Sequence, residues 1–568
     1  MTKRTHCRPL FPPKTGGAAV RGVTYRKECL IIMRDVLALT KYGKIRGDYS
    51  EGVYRFLGVR YAKPPVGELR FQPPVEPDVS PVIVDAKEYA LKCWQTDTPR
   101  IEVPEVANSK YNLINQELVT GNMEMGKGPQ SEDCLALNVW TPSLTKGQKL
   151  PVMVWLHGGG NVAGTPECPH QDGFNMAKKN NVVMVSVSHR LNLFGYMDLT
   201  HLGVEKYAHS VNIGNLDMVA ALQWVHDNID WFGGDPDNVT IFGESGGGGK
   251  VAQLLGMPSA KGLFHKAIIQ SGGFQAIDPK VGQADTDAFL EHLHITKDNI
   301  DELEKMAPED FIKAMREINA SRGDGPYLNF PVVFDGNVIQ YDPFDGAEGS
   351  EYCKDIPLII CYTKQDMALI ALFNPEIFEI TDETLPGQLA KTGYTPEQVQ
   401  KIIDTYTGML DKGSTGADKF IALLNDQHQL MFVDRVSKAK DGKGGAPFYN
   451  AVFAFESPDP VQKAIHGTDV PFFFDNAELA PYLYTAANKA AAYACSDTCG
   501  SAWAAFAYDG NNPTGRSMPV WKPYDQQTRY SMVFKAESEL VSDYHSEGRK
   551  ILEELKGSNL PGLRSRVK

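Results

Sequence analysis

No run of apolar residues in this chain approaches the ~20 needed to cross a bilayer as a helix, so a soluble protein is expected. Positive charge is also short. The 57 Lys and Arg residues stand against 70 Asp and Glu, a net charge of -13, which argues against nucleic acid or an anionic membrane as the main partner. Cysteine is sparse and irregularly spaced. Nine are present, an odd number, with no C-x-x-C and no Cys/His cluster of zinc spacing; Cys495 and Cys499 lack a second ligand pair. No structural metal is expected, and most thiols should be free in a reducing compartment. The sequence also lacks internal repeats, which excludes a solenoid, and the apolar core of a secretory signal, which places the protein in the cytoplasm by expectation.

What remains is an ordinary globular composition, 42% hydrophobic and 22% charged over 568 residues, with ample material for a core. Residues 1–32 are basic and rich in proline and glycine, and read as a disordered extension; Met33 is read as the authentic or an alternative start, which the mass of the native N-terminal peptide decides. From Asp35 to Thr120 short strand-like runs alternate with turns, as at an antiparallel sheet edge. After Pro151 continuous apolar runs such as "PVMVWLH", "NVVMVSVSHR", "NVTIFGES" and "KAIIQSGG" alternate with helical stretches, the pattern of a parallel sheet covered on both faces. "DIPLIICYT" and "FYNAVFAF" return to that sheet. Residues 284–328 and 384–430 read as helical insertions over the end where strands deliver reactive groups, and "SELVSDYHSEGRKILEEL" as an amphipathic helix. The predicted organisation is one α/β domain over 33–560 with a tail at 561–568.

The stretch "GESGGGGK", residues 243–250, fits three templates unequally. A phosphate loop ending at Lys250 needs glycine at Glu244 and a hydroxyl at Val251, and has neither. A dinucleotide fingerprint at Gly247, Gly249 and Ala252 needs an acid ending the next strand, where glycines stand instead. The nucleophile elbow G-x-S-x-G is met by Gly243 to Gly247, with a strand before it and a helix after it. Lys250 then reads as a helix residue with no phosphate to hold.

A serine at such an elbow needs a base, an orienting acid and oxyanion donors. His157 and Gly158, Gly159 and Gly160 follow a buried strand, where glycine lets amides turn toward a ligand. Six histidines follow Ser245: His265, His292, His294, His428, His466 and His545. His466, in the loop "AIHGTDVPFFF" after a sheet strand, is the best placed base. Asp366, directly after "IPLIICYT", is the best placed acid, with a solvated loop aspartate as the alternative.

The segments "FLGVRYAKPPVGELRFQPP", "SEDCLALNVWTP", "VMVWLHGGG", "NIGNLDMVAALQWVHDNIDWFGGDPDNVTIFGESGGG" and "HGTDVPFFF", in this order, resemble the type-B carboxylesterases, which include bacterial para-nitrobenzyl esterases and cholinesterases. The run through Ser245 looks closer to the bacterial branch. The resemblance implies an α/β-hydrolase fold, no cofactor, and a small-molecule ester as substrate. It implies Ser245 as nucleophile, His466 as base and acid, Asp366 as orienting acid, and the amides of Gly159, Gly160 and Gly246 as oxyanion hole. Glu244 and Ser271 are expected beside the triad, and Asn161, Trp94, Phe194 and Phe274 along the substrate pocket. Aromatics such as these and Phe472 are also ordinary core residues. Ion pairs Arg70 with Glu132 and Arg190 with Asp217 carry over, as does a possible disulfide between Cys93 and Cys134. Most relatives have glutamate where Asp366 stands, many an aromatic residue at Asn161, and usually proline at Arg60. The resulting reading is a serine carboxylesterase working through an acyl-enzyme, with activity falling below a pH of about 6 to 7 as the base protonates. A catalytically inactive binding or adhesion relative, an amide or carbamate hydrolase, and a nucleotide-binding protein are the alternatives.

Overall fold

The computed structural model describes residues 34–95, 129–322, 327–345, 351, 353–441, 445–459 and 463–555. Thirteen strands form one sheet: β1 (Arg34–Thr40), β2 (Gly43–Ser50), β3 (Val53–Arg60), β4 (Val84–Asp85), β5 (Ala136–Thr141), β6 (Leu150–Leu156), β7 (Val183–Val187), β8 (Gly234–Glu244), β9 (Lys266–Gln270), β10 (Leu358–Thr363), β11 (Phe448–Phe453), β12 (Tyr530–Phe534) and β13 (Glu539–Ser542). Their order is β1-β2-β3-β5-β7-β6-β8-β9-β10-β11-β12-β13, with β4 beside β2. Pairing is antiparallel from β1 to β7, parallel from β7 to β12, and antiparallel again to β13.

The parallel part is buried because its strands are apolar on both faces. Along β6, Val152, Val154 and Leu156 join one core cluster while Met153 and Trp155 join the other, the period-2 alternation of a strand with no wet side. The helix Ile213–Asn228 covers the first face with Met218, Leu222 and Val225. The helix Lys489–Tyr508 covers the second with Cys499, Trp503 and Phe506. Neither that helix nor β12 was marked out in the sequence reading.

Helices occupy much of both stretches read as insertions and run beyond them. The first begins at Pro279, where the Asp278 side chain accepts from Lys280 N and caps the helix Pro279–His292. The second extends to Lys440 and includes a π-helical turn, Asp426–Leu430. Its helices form a third cluster that also holds Ile465, next to His466. The terminal segment needs correction. Only Ser546–Leu555 is helix, while Glu539–Ser542 pairs with β12, and left-handed backbone at Asp543 and His545 separates the two. Residues 1–32, 561–568 and part of the expected edge, 96–120, lie outside the described residues.

Both anticipated ion pairs form. Arg70 grips Glu132 through two bonds of 2.6 Å, and Arg190 grips Asp217 at 2.8 and 2.6 Å with both side chains buried. Removing one partner of such a pair strands a buried charge, at about 3–5 kcal/mol. Arg190→Leu should therefore lower the denaturant-unfolding free energy by about that much, and Arg190→Leu with Asp217→Leu should recover most of it. A loss below about 1 kcal/mol for the single change would show that the pair does not hold the fold.

Candidate active site

Strand β8 runs into the helix Gly246–Leu255 through a single residue, Ser245, whose backbone sits at φ 57° and ψ -124°. A non-glycine residue held there is strained, and the surrounding contacts must impose it. Two glycines let the helix close onto the neighbouring strand. A methyl group on Gly247 would stand 2.0 Å from Leu156 O, and one on Gly246 would stand 2.2 Å from Gly160 N. The turn therefore lies against the loop that leaves β6. Opposite it, Gly158 faces Ser245 Cβ and Glu244 Oε2. Gly159 and Gly160 both have positive φ, 90° and 62°, which turns their peptides out of the strand direction.

Asp366 and His466 are brought together by stitching of the loops after β10 and β11. Gln365 N donates to Ala464 O, and Ala464 N donates to Gln365 Oε1, both at 3.0 Å. Asp366 Oδ1 then lies 2.9 Å from His466 Nδ1. The carboxylate is buried but well supplied with donors. Ser271 Oγ and both the amide and hydroxyl of Thr363 donate to Oδ2, and Gln429 Nε2 donates to Oδ1 at 3.1 Å. Burial alone raises its pKa, but the His466 charge and these bonds outweigh it and hold the group below the usual carboxylate range. Ser271, expected beside the acid, is there; Gln429 was missed, because only the π-helical turn aims it at Asp366.

The other ring nitrogen, His466 Nε2, lies 3.1 Å from Glu244 Oε1 without completing a hydrogen bond, and Ser245 Oγ has no hydrogen bond among the described residues. Desolvation opposes protonation of His466, yet the Glu244 and Asp366 carboxylates push it up to about 10. Glu244 is itself pushed up to about 8, chiefly by burial. Asp469, three residues after His466, is buried and pushed up to about 6 by desolvation; its Oδ2 accepts from Gln270 Nε2 at 2.8 Å, and Trp503 donates to Gln270. Sequence reasoning passed over Asp469 although it stands inside the quoted "HGTD" run.

Of the remaining candidates, Asn161, Trp94 and Phe194 lie along or against the segment Asn192–Tyr196. Asn161 Oδ1 accepts from Tyr196 Oη at 3.3 Å, and Trp94 is half-buried with its carbonyl held by Asn192 Nδ2. Phe194 packs with Phe71 and Phe311 in the core beside the Arg70–Glu132 pair. Phe274 is buried against Phe334, and Phe472 against Phe453 and Phe455. Cys93 and Cys134 are buried free thiols, and the hydrogen bond between them together with burial raises the Cys134 thiol well above its usual value. No group of His, Cys, Asp and Glu among the described residues is arranged to hold a metal ion.

A mostly parallel sheet, a strained serine between strand and helix, and a histidine tied to an acid on later loops define an α/β-hydrolase. The chain matches the carboxylesterase family over residues 34–550 and belongs to it. It is 33% identical to the para-nitrobenzyl esterase of Bacillus subtilis over 92% of this chain and all of that one. It is 31% identical to the liver carboxylesterase of Sus scrofa over 87% of this chain and 88% of the other. Among solved structures, a Geobacillus stearothermophilus carboxylesterase superposes with a TM-score of 0.74 at 30% identity, covering 91% of this chain and 99% of that one. The protein is thus a carboxylic ester hydrolase, and the bacterial resemblance is consistent with these relatives.

With His466 as the base, the carboxylates around it would set the pH dependence. A base whose pKa is raised is neutral only at higher pH, so the acid limb of kcat/KM should lie above the 6 to 7 expected for an ordinary histidine. Glu244→Gln removes one of the charges raising it and should move that limb to lower pH by about one unit or more. An unmoved limb would show that Glu244 does not govern the imidazole.

Proposed function

We propose that Ser245 is the nucleophile of this esterase, with His466 as general base and acid, Asp366 as orienting acid, and the amides of Gly159, Gly160 and Gly246 as oxyanion hole. The supporting observation is the conjunction of the Asp366–His466 contact at 2.9 Å with Ser245 at a positive φ against the glycine loop. In this reading Ser245 Oγ attacks the ester carbonyl as His466 Nε2 takes its proton. The tetrahedral oxyanion is held by the three amides, and the C–O bond breaks as His466 returns the proton to the departing alcohol. Water then attacks the acyl-enzyme by the same route and releases the acid. Asp366 keeps Nδ1 protonated, so that Nε2 is the atom that accepts.

The reaction takes simple carboxylic esters and requires no cofactor. An aromatic alcohol portion is the first to try, since the Bacillus subtilis relative is named for para-nitrobenzyl esters. Retention of serine, acid and histidine together favours catalysis over a binding-only role. Free Cys93 and Cys134 accord with a cytoplasmic setting.

With p-nitrophenyl butyrate as substrate, Ser245→Ala should lower kcat by about 10⁶-fold and Asp366→Asn by about 10⁴-fold. A Ser245→Ala enzyme with more than a tenth of the original rate would remove Ser245 from the mechanism.

A further inference from the structure

Lys250 has no task in the chemistry described above, yet it is buried completely. It lies four residues after Gly246 and three after Gly247, one helical turn along the face that packs on the β6 loop. There its Nζ donates to His157 O at 2.8 Å, and among the described residues it makes no other side-chain hydrogen bond and has no carboxylate within ion-pair distance. His157 is the first residue of the loop His157-Gly158-Gly159-Gly160. Behind it the His157 and His189 rings stack with centroids 4.9 Å apart. Burial, followed by the nearby lysine, holds both imidazoles well below their usual value, so neither competes as a cation. Burial alone pushes the lysine amine down to about 7, a measure of what its position sacrifices in solvation. An apolar side chain of the same length would fill this space without that penalty.

The far end of the loop is fastened separately. Gly164 N donates to Gln95 Oε1 at 2.8 Å and Gln95 Nε2 donates to Gly164 O at 3.1 Å, while Asn192 N donates to Asn161 O at 2.7 Å. Between these ties and His157 stand Gly158, Gly159 and Gly160, with no side chains to pack. At the near end two side-chain contacts act, the His157 ring through Nδ1 on Gly158 O at 2.8 Å and Lys250 on the His157 carbonyl, and only the second comes from outside the loop.

We propose that Lys250 is a positioning residue that anchors the His157 carbonyl and thereby fixes the Gly159 and Gly160 amides where the oxyanion forms. This inference rests on the assignment of Ser245 and the oxyanion glycines. Oxyanion donors act only when they are already in place, so a loosened loop weakens transition-state binding more than substrate binding.

The test begins with the wild-type enzyme, labelled by an organophosphonate to establish Ser245 as the reactive residue and to count active sites. Failure at this step overturns the functional assignment itself. Lys250→Met, which keeps the length and removes the donor, is then compared per labelled site. It should lower kcat about tenfold or more with KM within about twofold, as for loss of an interaction made only in the transition state. Affinity for an aryl trifluoromethyl ketone, which forms an oxyanion on Ser245, should fall by the same factor. Affinity for the corresponding methyl ketone should hold within about twofold. Lys250→Gln, which retains an N–H donor, should recover part of the loss. Lys250→Ser, too short to reach His157, carries the same expectation as Lys250→Met should that variant fail to fold. With wild type labelled at Ser245, the inference is overturned if the donorless variants keep kcat within twofold, if both ketones lose affinity equally, or if Lys250→Gln is as impaired as Lys250→Met.

Discussion

The contact between the Ser245 turn and the loop leaving β6 is the constraint on which the site depends. Helix Gly246–Leu255 comes so close to β6 that Leu156 O and Gly160 N occupy the space of a methyl group on Gly247 and Gly246. Ser245 N is meanwhile bonded to Gln270 O of β9 at 2.9 Å. Held between β6, β8 and β9, the serine has no relaxed backbone alternative. The strain is maintained by packing in the most buried part of the sheet. The sheet thus fixes Ser245 against the loop that leaves β6, while His466 and Asp366 arrive on later loops.

The second organising feature is the density of carboxyl groups around one imidazole. Asp366, Glu244 and Asp469 are all buried close enough to influence His466. They differ in what supports them. Asp366 has donors for both oxygens and is held below the usual carboxylate range, whereas Glu244 Oε1 and Asp469 Oδ1 have no hydrogen-bond partner among the described residues and burial pushes their groups toward the neutral form. Three acids of one chemical kind therefore play different parts because their hydrogen bonds differ.

The framework was readable in the sequence because it rests on local rules. Continuous apolar runs gave the parallel strands, and Asp366 and His466 were identifiable because each follows a strand into the same end of the sheet. The two ion pairs and Ser271 followed from resemblance. Other features depend on packing between distant segments. Lys250 carries the sequence signature of an exposed helix residue, and only the helix's approach to His157 buries it. Gln429 becomes a partner of Asp366 through a π-helical turn that periodicity does not signal. Phe194, expected along the pocket by resemblance, packs with Phe71 and Phe311, contacts between distant segments that its own sequence position does not signal. The stretch before the last helix was read at period 3.6, although Glu539–Ser542 is paired to β12.

The assignment of the turn and loop as one catalytic unit is tested most directly by a crystal structure of the enzyme after reaction with a p-nitrophenyl alkylphosphonate. The account predicts phosphorus bonded to Ser245 Oγ, with the phosphoryl oxygen about 2.7–3.1 Å from the amides of Gly159, Gly160 and Gly246 and His466 Nε2 turned to the ester oxygen. A phosphonyl group on another residue, or one on Ser245 whose oxygen points away from those amides, would contradict it.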